Sequence, residues 1–129
     1  MGQVFTSPDL LGELLKHEYS RETCREAVTL AASATGYKLG SVLGKATASG
    51  DYGLSPAAGE DGSETACAVL LSDVDASAEA IPGAVVLARG PAIVADIRLV
   101  YDASVNTDAL KKEKQSQLAA LGIVTREAV

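Results

Sequence analysis

Short apolar runs, each ended by glycine, aspartate, serine or proline, are the feature that most constrains the fold of this chain. From about Glu26 onward they recur at intervals of roughly ten to twenty residues, and no long helix separates them. This spacing is typical of a small antiparallel β protein. The candidate strands are 26–31, 41–48, 65–71, 83–88 and 93–99. We therefore predict a mainly β fold, either a small antiparallel β-sandwich or a partly closed, β-clip-like barrel.

The N-terminal segment has a different pattern. Ser7, Pro8 and Asp9 form a helix-start signal, because they supply a capping hydroxyl, a proline at the first helical position and an acid in the first turn. Four leucines follow this signal on one stripe: Leu10, Leu11, Leu14 and Leu15. Such a short stripe either docks as an amphipathic turn on the chain's own core or belongs to an arm that becomes ordered against a partner. We predict an extended N-terminal arm, residues 1–22.

The C-terminal segment predicts a short helix at about 108–121. Asn106 or Thr107 can cap this helix, and Gly122 stands where a left-handed C-terminal cap is expected. We also expect Ile123 and Val124 to pack back on the helix. Residues 23–129 are thus predicted to form one β-rich domain that ends in a helix.

Size and composition favour one small domain that associates with copies of itself. The chain has 129 residues, of which 47% are hydrophobic and 22% are charged, the balance of an ordinary globular protein. It contains no tryptophan and a single phenylalanine, so valine, leucine, isoleucine and alanine must fill the core. Because small side chains bury little area, association between subunits is a natural way to bury more.

The charge excludes several classes of partner. The formal net charge is −6, so the surface as a whole should repel nucleic acid and anionic lipid, and neither is expected as a partner. The first fifteen residues contain no lysine or arginine, so no signal peptide is expected and synthesis is expected in the cytoplasm. Cys24 and Cys67 lack metal-like spacing and are interpreted as small thiols outside any disulfide.

The glycine-rich stretch around Gly44 and Lys45 invites comparison with a phosphate-binding loop. That loop requires a glycine where this chain has Leu39 and a serine or threonine where it has Ala46. We therefore interpret "SVLGKAT" as a strand in which Gly44 marks a bulge or a close approach. A small nucleotide-binding enzyme that uses Lys45 is the weakest of the functions considered.

Other motifs also favour structural interpretations. The run 73–77, "DVDAS", resembles the start of a calcium loop but lacks its glycine and its final glutamate, so we expect a solvated turn. His17 is the only histidine and is expected on the surface of the arm. Lys111, Lys112 and Lys114 are interpreted as one solvated helix face. We predict no catalytic residue, metal, cofactor or small-molecule substrate.

The order of several segments resembles that of the lambda-type head decoration proteins of tailed bacteriophages. These segments are "LGSVLGKATASGDY" (39–52), "AAGEDGSETA" (57–66), "CAVLLSDVDAS" (67–77), "GAVVLARGPAIV" (83–94) and "DALKKEKQSQLAALGIV" (108–124). The resemblance covers roughly residues 23–124, and none of its motifs is catalytic. It implies a small β-rich cement protein that binds as a homotrimer to the major capsid protein, on the outer surface of the expanded head.

The resemblance also implies a role for the N-terminal arm. In this family the N-terminal segment becomes ordered on the shell by adding to sheet edges of the capsid protein. Our hypothesis assigns the capsid contact to six residues of the arm: Phe5, Leu10, Leu11, Leu14, Leu15 and Tyr19. The alternative for the leucines is that they cover the chain's own core. The main alternative for the whole protein is another oligomeric β-module of a virion, such as a tail or fibre component.

Overall fold

The computed structural model describes residues 4–5, 14–33, 36–76 and 79–126. The strands are β1 (Val4–Phe5), β2 (Leu15–Glu18), β3 (Arg25–Leu30), β4 (Val42–Lys45), β5 (Tyr52–Leu54), β6 (Ala66–Leu70), β7 (Asp73–Val74), β8 (Ile81–Leu87), β9 (Ala92–Ala95) and β10 (Ile123–Arg126). The helices are α1 (Arg21–Cys24), a 3₁₀ helix (Asp96–Arg98) and α2 (Asp108–Ala119). The predicted mainly β fold with a short C-terminal helix is confirmed.

Five strands close into a barrel in the order β3-β5-β4-β6-β8. All neighbours in it are antiparallel except β3 and β5, which pair in parallel at Leu30 and Tyr52. Closure leaves these strands without a free edge, which removes the usual site of edge-to-edge aggregation. The other elements of the fold are placed around this barrel.

Both faces of the barrel wall are buried at β4 and β6, because an apolar cluster lies on each side of the wall there. Along β4, Val42 belongs to one cluster and the next residue, Leu43, to the other. Val69 and Leu70 in β6 divide in the same way, as expected for successive residues of a strand. Double burial explains why the sequence shows continuous apolar runs here instead of polar and apolar alternation.

The second sheet covers one side of the barrel and has the order β10-β9-β2. Its central strand, β9, pairs in parallel with β10 and antiparallel with β2. Leu14, Val94, Leu118 and Ile123 bring this sheet and α2 into one buried cluster with Val42 of the barrel. The predicted arm, residues 1–22, therefore includes a segment that packs within the body.

The helix α2 begins at one of its two predicted caps and ends at Ala119, two residues before the predicted end at 121. The Thr107 side chain accepts a hydrogen bond from the Leu110 N–H at 3.3 Å. Gly122 has a φ of +86°, in the left-handed region that glycine adopts without a steric penalty. Beyond it, residues 123–126 form β10 on β9, so Ile123 and Val124 are held by strand pairing rather than only by packing on the helix.

Two predicted elements differ from the structure. The strand predicted at 93–99 ends at Ala95, and a 3₁₀ helix follows. Leu15 lies in β2 rather than on a helical stripe, because it pairs with Val94 of β9. The predicted helix start at residues 7–9 lies outside the described residues.

The interpretation of Lys114 as part of a solvated helix face is wrong. Its side chain is only 2% exposed, and its ammonium donates hydrogen bonds to Ser55 Oγ, the Pro56 carbonyl and the Glu64 carbonyl. Lys112 is exposed and Lys111 is half-buried. The helix therefore points one lysine of this run at the loop that connects β5 to β6.

Candidate capsid-contact site

The structure separates the six residues of the predicted capsid contact. Phe5 lies in β1, opposite Asp73 of β7, and Leu10 and Leu11 lie outside the described residues. Leu14 is fully buried in the core, and Leu15 packs against the same cluster. Tyr19 is 71% exposed, just after β2. Leu14 thus covers the chain's own core, the alternative that the sequence left open for the leucines.

Several interactions fix the segment that follows Leu14. Tyr19 donates its backbone N–H to the Pro91 carbonyl at 2.9 Å. The Arg25 guanidinium makes two hydrogen bonds to the Glu18 carboxylate, at 2.7 and 3.0 Å, which join β2 to the barrel strand β3. Ser20 Oγ caps α1 by accepting from the Thr23 N–H. The segment from Leu14 to Arg25 is therefore firmly held on the body.

A pocket of about 340 Å³ lies where the two described parts of the arm approach the body. Leu14 lines it, and so does Asp73, the residue opposite Phe5 in the β1–β7 pair. Leu39 lines the pocket as well, and its backbone N–H donates a hydrogen bond to the Asp73 carboxylate at 2.6 Å. This bond holds the turn at Leu39 in place. Ile97 also lines the pocket and is 69% exposed.

The turn at Gly40 brings the part of the pocket wall formed by Leu39 close to the 3₁₀ helix. Gly40 has a φ of +93°, and a Cβ at this position would overlap the Arg98 carbonyl oxygen. The Val100 N–H donates to the Gly40 carbonyl at 2.9 Å, and the Val42 N–H donates to the Val100 carbonyl at 2.8 Å. Glycine is required here for both the conformation and the close approach.

A second pocket of about 310 Å³ lies on the other side of Ile97. Tyr101 forms part of its wall, with the Gln115 amide donating to its hydroxyl at 3.0 Å and the Lys111 ammonium 5.7 Å from its ring centre. Burial raises the pKa of the Tyr101 hydroxyl. Asp96, which also lines this pocket, has one buried carboxylate oxygen, Oδ1, that makes no hydrogen bond within the described residues.

The residues considered for catalysis have other roles or positions. Gly44 lies within β4, and a Cβ there would overlap the Ser63 backbone, so the predicted close approach in a strand is confirmed. Lys45 follows it in the strand and is exposed. His17 is exposed on β2, which belongs to the body and not to a separate arm. The solvated turn expected at 73–77 is wrong for the described residues of that run, because Asp73 and Val74 form β7 and both Val74 and Ala76 are buried. The Asp73 carboxylate instead holds the turn at Leu39.

The two cysteines are both free thiols, Cys24 buried and Cys67 half-buried. Burial raises the pKa of the Cys67 thiol, which keeps it protonated at neutral pH. In the part of the chain that the structure describes, no group of three or more histidine, cysteine or carboxylate side chains is placed to hold a metal ion. Among the same residues, no helix is long and apolar enough to cross a membrane.

Sequence reasoning missed several features of this region. Ile97 was assigned to a strand, and only the early end of β9 shows that it lies exposed on a 3₁₀ turn. The strands β1, β2, β5, β7 and β10 were not predicted, because their pairing with other strands defines them and not a local apolar run.

Comparison with known proteins gives the family. The family model described as Bacteriophage lambda head decoration protein D matches residues 4–123, and so includes β1 as well as the whole barrel. No curated protein sequence matches the chain. Because the family match spans most of the chain, this protein belongs to the bacteriophage lambda head decoration protein D family.

Proposed function

We propose that the chain is a capsid cement protein that binds as a homotrimer to the outer surface of the expanded phage head. It occupies threefold and quasi-threefold positions between major capsid proteins and stabilises the shell against the pressure of packaged DNA. The observation that supports this proposal best is the family match over residues 4–123, because it includes the N-terminal strand together with the body. The proposed role is structural and involves no catalysis, cofactor or nucleic acid.

The position of the arm supports its proposed role in capsid binding. Val4 and Phe5 are already extended and paired along a strand edge, which is the backbone conformation that β-augmentation needs. Leu14 is fixed in the core, so the segment available for the capsid is residues 1–13. Phe5, Leu10 and Leu11 are its proposed apolar contacts. Leu14 and Leu15 anchor the root of the arm, and the exposed Tyr19 adds a contact beside it.

The body provides the proposed contact between subunits. Its described surface exposes four large aliphatic side chains by more than a third: Val85, Ile97, Leu121 and Val124. A small barrel that lacks tryptophan gains buried area by association. The three arms of one trimer would bind the shell at the same time, so that three weak contacts give one strong attachment.

Cosedimentation with expanded, undecorated heads tests the proposal. We expect the full chain to saturate the heads at three copies per local threefold position and to bind unexpanded heads poorly. Deletion of residues 1–13 should leave a folded trimer, checked by light scattering, that no longer sediments with heads. The deletion stops before Leu14 because removal of that buried residue would open the core.

A chain lacking residues 127–129 is the matched control, because it is truncated at the other terminus and keeps the arm. It should bind heads like the full chain. Full occupancy by the chain without residues 1–13 would refute the role of the arm. A stable trimer that binds neither form of head would instead indicate a virion component with another partner, such as a tail or fibre module.

A further inference from the structure

Ile97 projects from the body between two hollows. Its side chain is 69% exposed, against 37% to 39% for the other large aliphatic residues exposed on the described surface, Val85, Leu121 and Val124. It is the central residue of the 3₁₀ helix, and it lines both the pocket of about 340 Å³ and the pocket of about 310 Å³. One exposed aliphatic side chain is ordinary on a protein surface, so its surroundings decide whether it belongs to a contact site.

Backbone hydrogen bonds hold the segment that carries Ile97. The Leu99 N–H donates to the Asp96 carbonyl at 3.2 Å, which closes the 3₁₀ turn, and the Val100 N–H donates to the Gly40 carbonyl at 2.9 Å. The Leu99 side chain, two residues after Ile97, is buried in the core. The backbone at Ile97 is therefore already fixed in the free protein, and a partner that encloses its side chain has little backbone disorder to remove.

The charged side chains around Ile97 are mostly basic, although the net charge of the chain is −6. The described linings of the two pockets contain four of the eleven lysine and arginine residues but only three of the seventeen aspartate and glutamate residues. Two of these three carboxylates are partly withdrawn, because Asp73 accepts from the Leu39 N–H and one oxygen of Asp96 is buried. We define the Ile97 patch as Ile97 with the four basic residues, Lys38, Arg98, Lys111 and Lys112. Such a surface is complementary to an apolar recess with carboxylates at its border.

The Ile97 patch lies beside the root of the proposed capsid-binding arm. Leu14, the residue that follows residues 1–13, lines the same pocket as Ile97, Lys38 and Arg98. One residue of extended chain spans at most about 3.6 Å, so the last residues of the arm stay close to this pocket wherever the arm is bound. A shell that binds the arm along its length is therefore brought up to the patch.

We propose that the Ile97 patch is a second contact with the shell, made by the body, in which Ile97 enters an apolar recess of the major capsid protein and the basic side chains face carboxylates at its border. This inference rests on the proposed function. It assigns Ile97 to the shell and leaves Val85, Leu121 and Val124 for the contact between subunits. The arm and the patch bind the same shell at once, so each raises the effective affinity of the other.

The variants Ile97→Ser and Ile97→Val test the apolar part of this contact. Position 97 is exposed in the free protein, so we expect both variants to keep the trimer mass, measured by light scattering, and the thermal unfolding of the unmodified chain. In cosedimentation with expanded heads, Ile97→Ser should bind at least about tenfold more weakly, because it loses the burial of a large aliphatic side chain. Ile97→Val is the matched control. It keeps a branched apolar side chain and should bind within about fourfold of the unmodified chain.

The variant Lys112→Gln tests the basic part of the contact. Lys112 lines the pocket next to Ile97 and is exposed, and Lys45 is equally exposed but lies in β4. Lys112→Gln should weaken head binding by about two- to fivefold at low salt, and the difference should shrink as the salt concentration rises. Lys45→Gln, the matched control, removes the same charge and should bind like the unmodified chain. Equal binding by these two lysine variants would overturn the proposed border of carboxylates.

The same experiments separate this inference from the proposed function. Equal binding by Ile97→Ser and Ile97→Val would overturn the second contact while the unmodified chain still decorates heads. Loss of the trimer in Ile97→Ser would overturn it as well, because Ile97 would then contact a second copy of the chain. If the unmodified chain itself does not bind expanded heads, the proposed function fails, and the inference fails with it.

Discussion

Replacement of Lys114 by methionine is expected to destabilise the protein strongly. The Lys114 ammonium is buried against three oxygen atoms, with distances of 2.9 Å to Ser55 Oγ and 2.6 Å to the Pro56 carbonyl and a third bond to the Glu64 carbonyl. A hydrogen bond to a charged group contributes about 1.5–3 kcal/mol. Three such bonds sum to at least about 4.5 kcal/mol, from which the avoided cost of burying a charge must be subtracted.

The expected net loss is therefore about 3 kcal/mol of unfolding free energy, a large part of the roughly 5–15 kcal/mol that stabilises a typical domain. For a chain of this size that loss lowers the melting temperature by about 10 °C. Urea unfolding followed by circular dichroism, at a fixed protein concentration, measures the difference. Lys112→Met is the matched control, because Lys112 lies on the same helix and is exposed, and we expect it to change stability by less than about 0.5 kcal/mol.

The loss of stability caused by Lys114→Met should also depend on pH. Burial lowers the pKa of Lys114 below its usual value of 10.5. Between the lowered pKa and 10.5 the unfolded chain holds this proton more often than the folded chain, so the contribution of Lys114 to stability increases as the pH rises through that interval. The stability difference between the unmodified protein and Lys114→Met should therefore widen at alkaline pH. If Lys114→Met is as stable as Lys112→Met, the ammonium gives no net stabilisation and the reasoning is wrong.

Two further changes test the packing of the fold. Gly44→Ala should cost about 3 kcal/mol of unfolding free energy, because its Cβ would overlap the Ser63 backbone, whereas Gly59→Ala should cost little because its Cβ would be 3.6 Å from the nearest atom; equal urea midpoints for the two variants would contradict this contact. A double-mutant cycle with Glu18→Gln and Arg25→Met should give a coupling of about 1 kcal/mol, since these side chains are only 13% and 19% exposed and make two hydrogen bonds. The exposed pair Glu26 and Arg89 should give less than about 0.5 kcal/mol, and a coupling as large as that of the first pair would show that burial is not what strengthens it.

Local signals in the sequence were enough for much of the fold. The apolar runs bounded by glycine and aspartate predicted the positions of four barrel strands, β3, β4, β6 and β8, because burial requires apolar residues wherever a strand crosses the core. Thr107 and Gly122 marked the C-terminal helix, since capping depends on residues within one turn of the helix end. The order of these segments also gave the resemblance that the family match confirms.

Contacts between distant segments decided the remainder. The exposure of Lys114 could not be read from its charged neighbours, because its three acceptors lie 50 to 59 residues away in the chain. The β2 segment is a strand because β9 pairs with it, and β9 lies more than seventy residues further along the chain. The place where the arm meets the body likewise depends on the pairing of β1 with β7. A sequence therefore determines which segments can be strands or helices and where a helix is capped, because those preferences are local. Which edges pair and which charge is buried depend on tertiary structure, because both need groups that only the folded chain brings together.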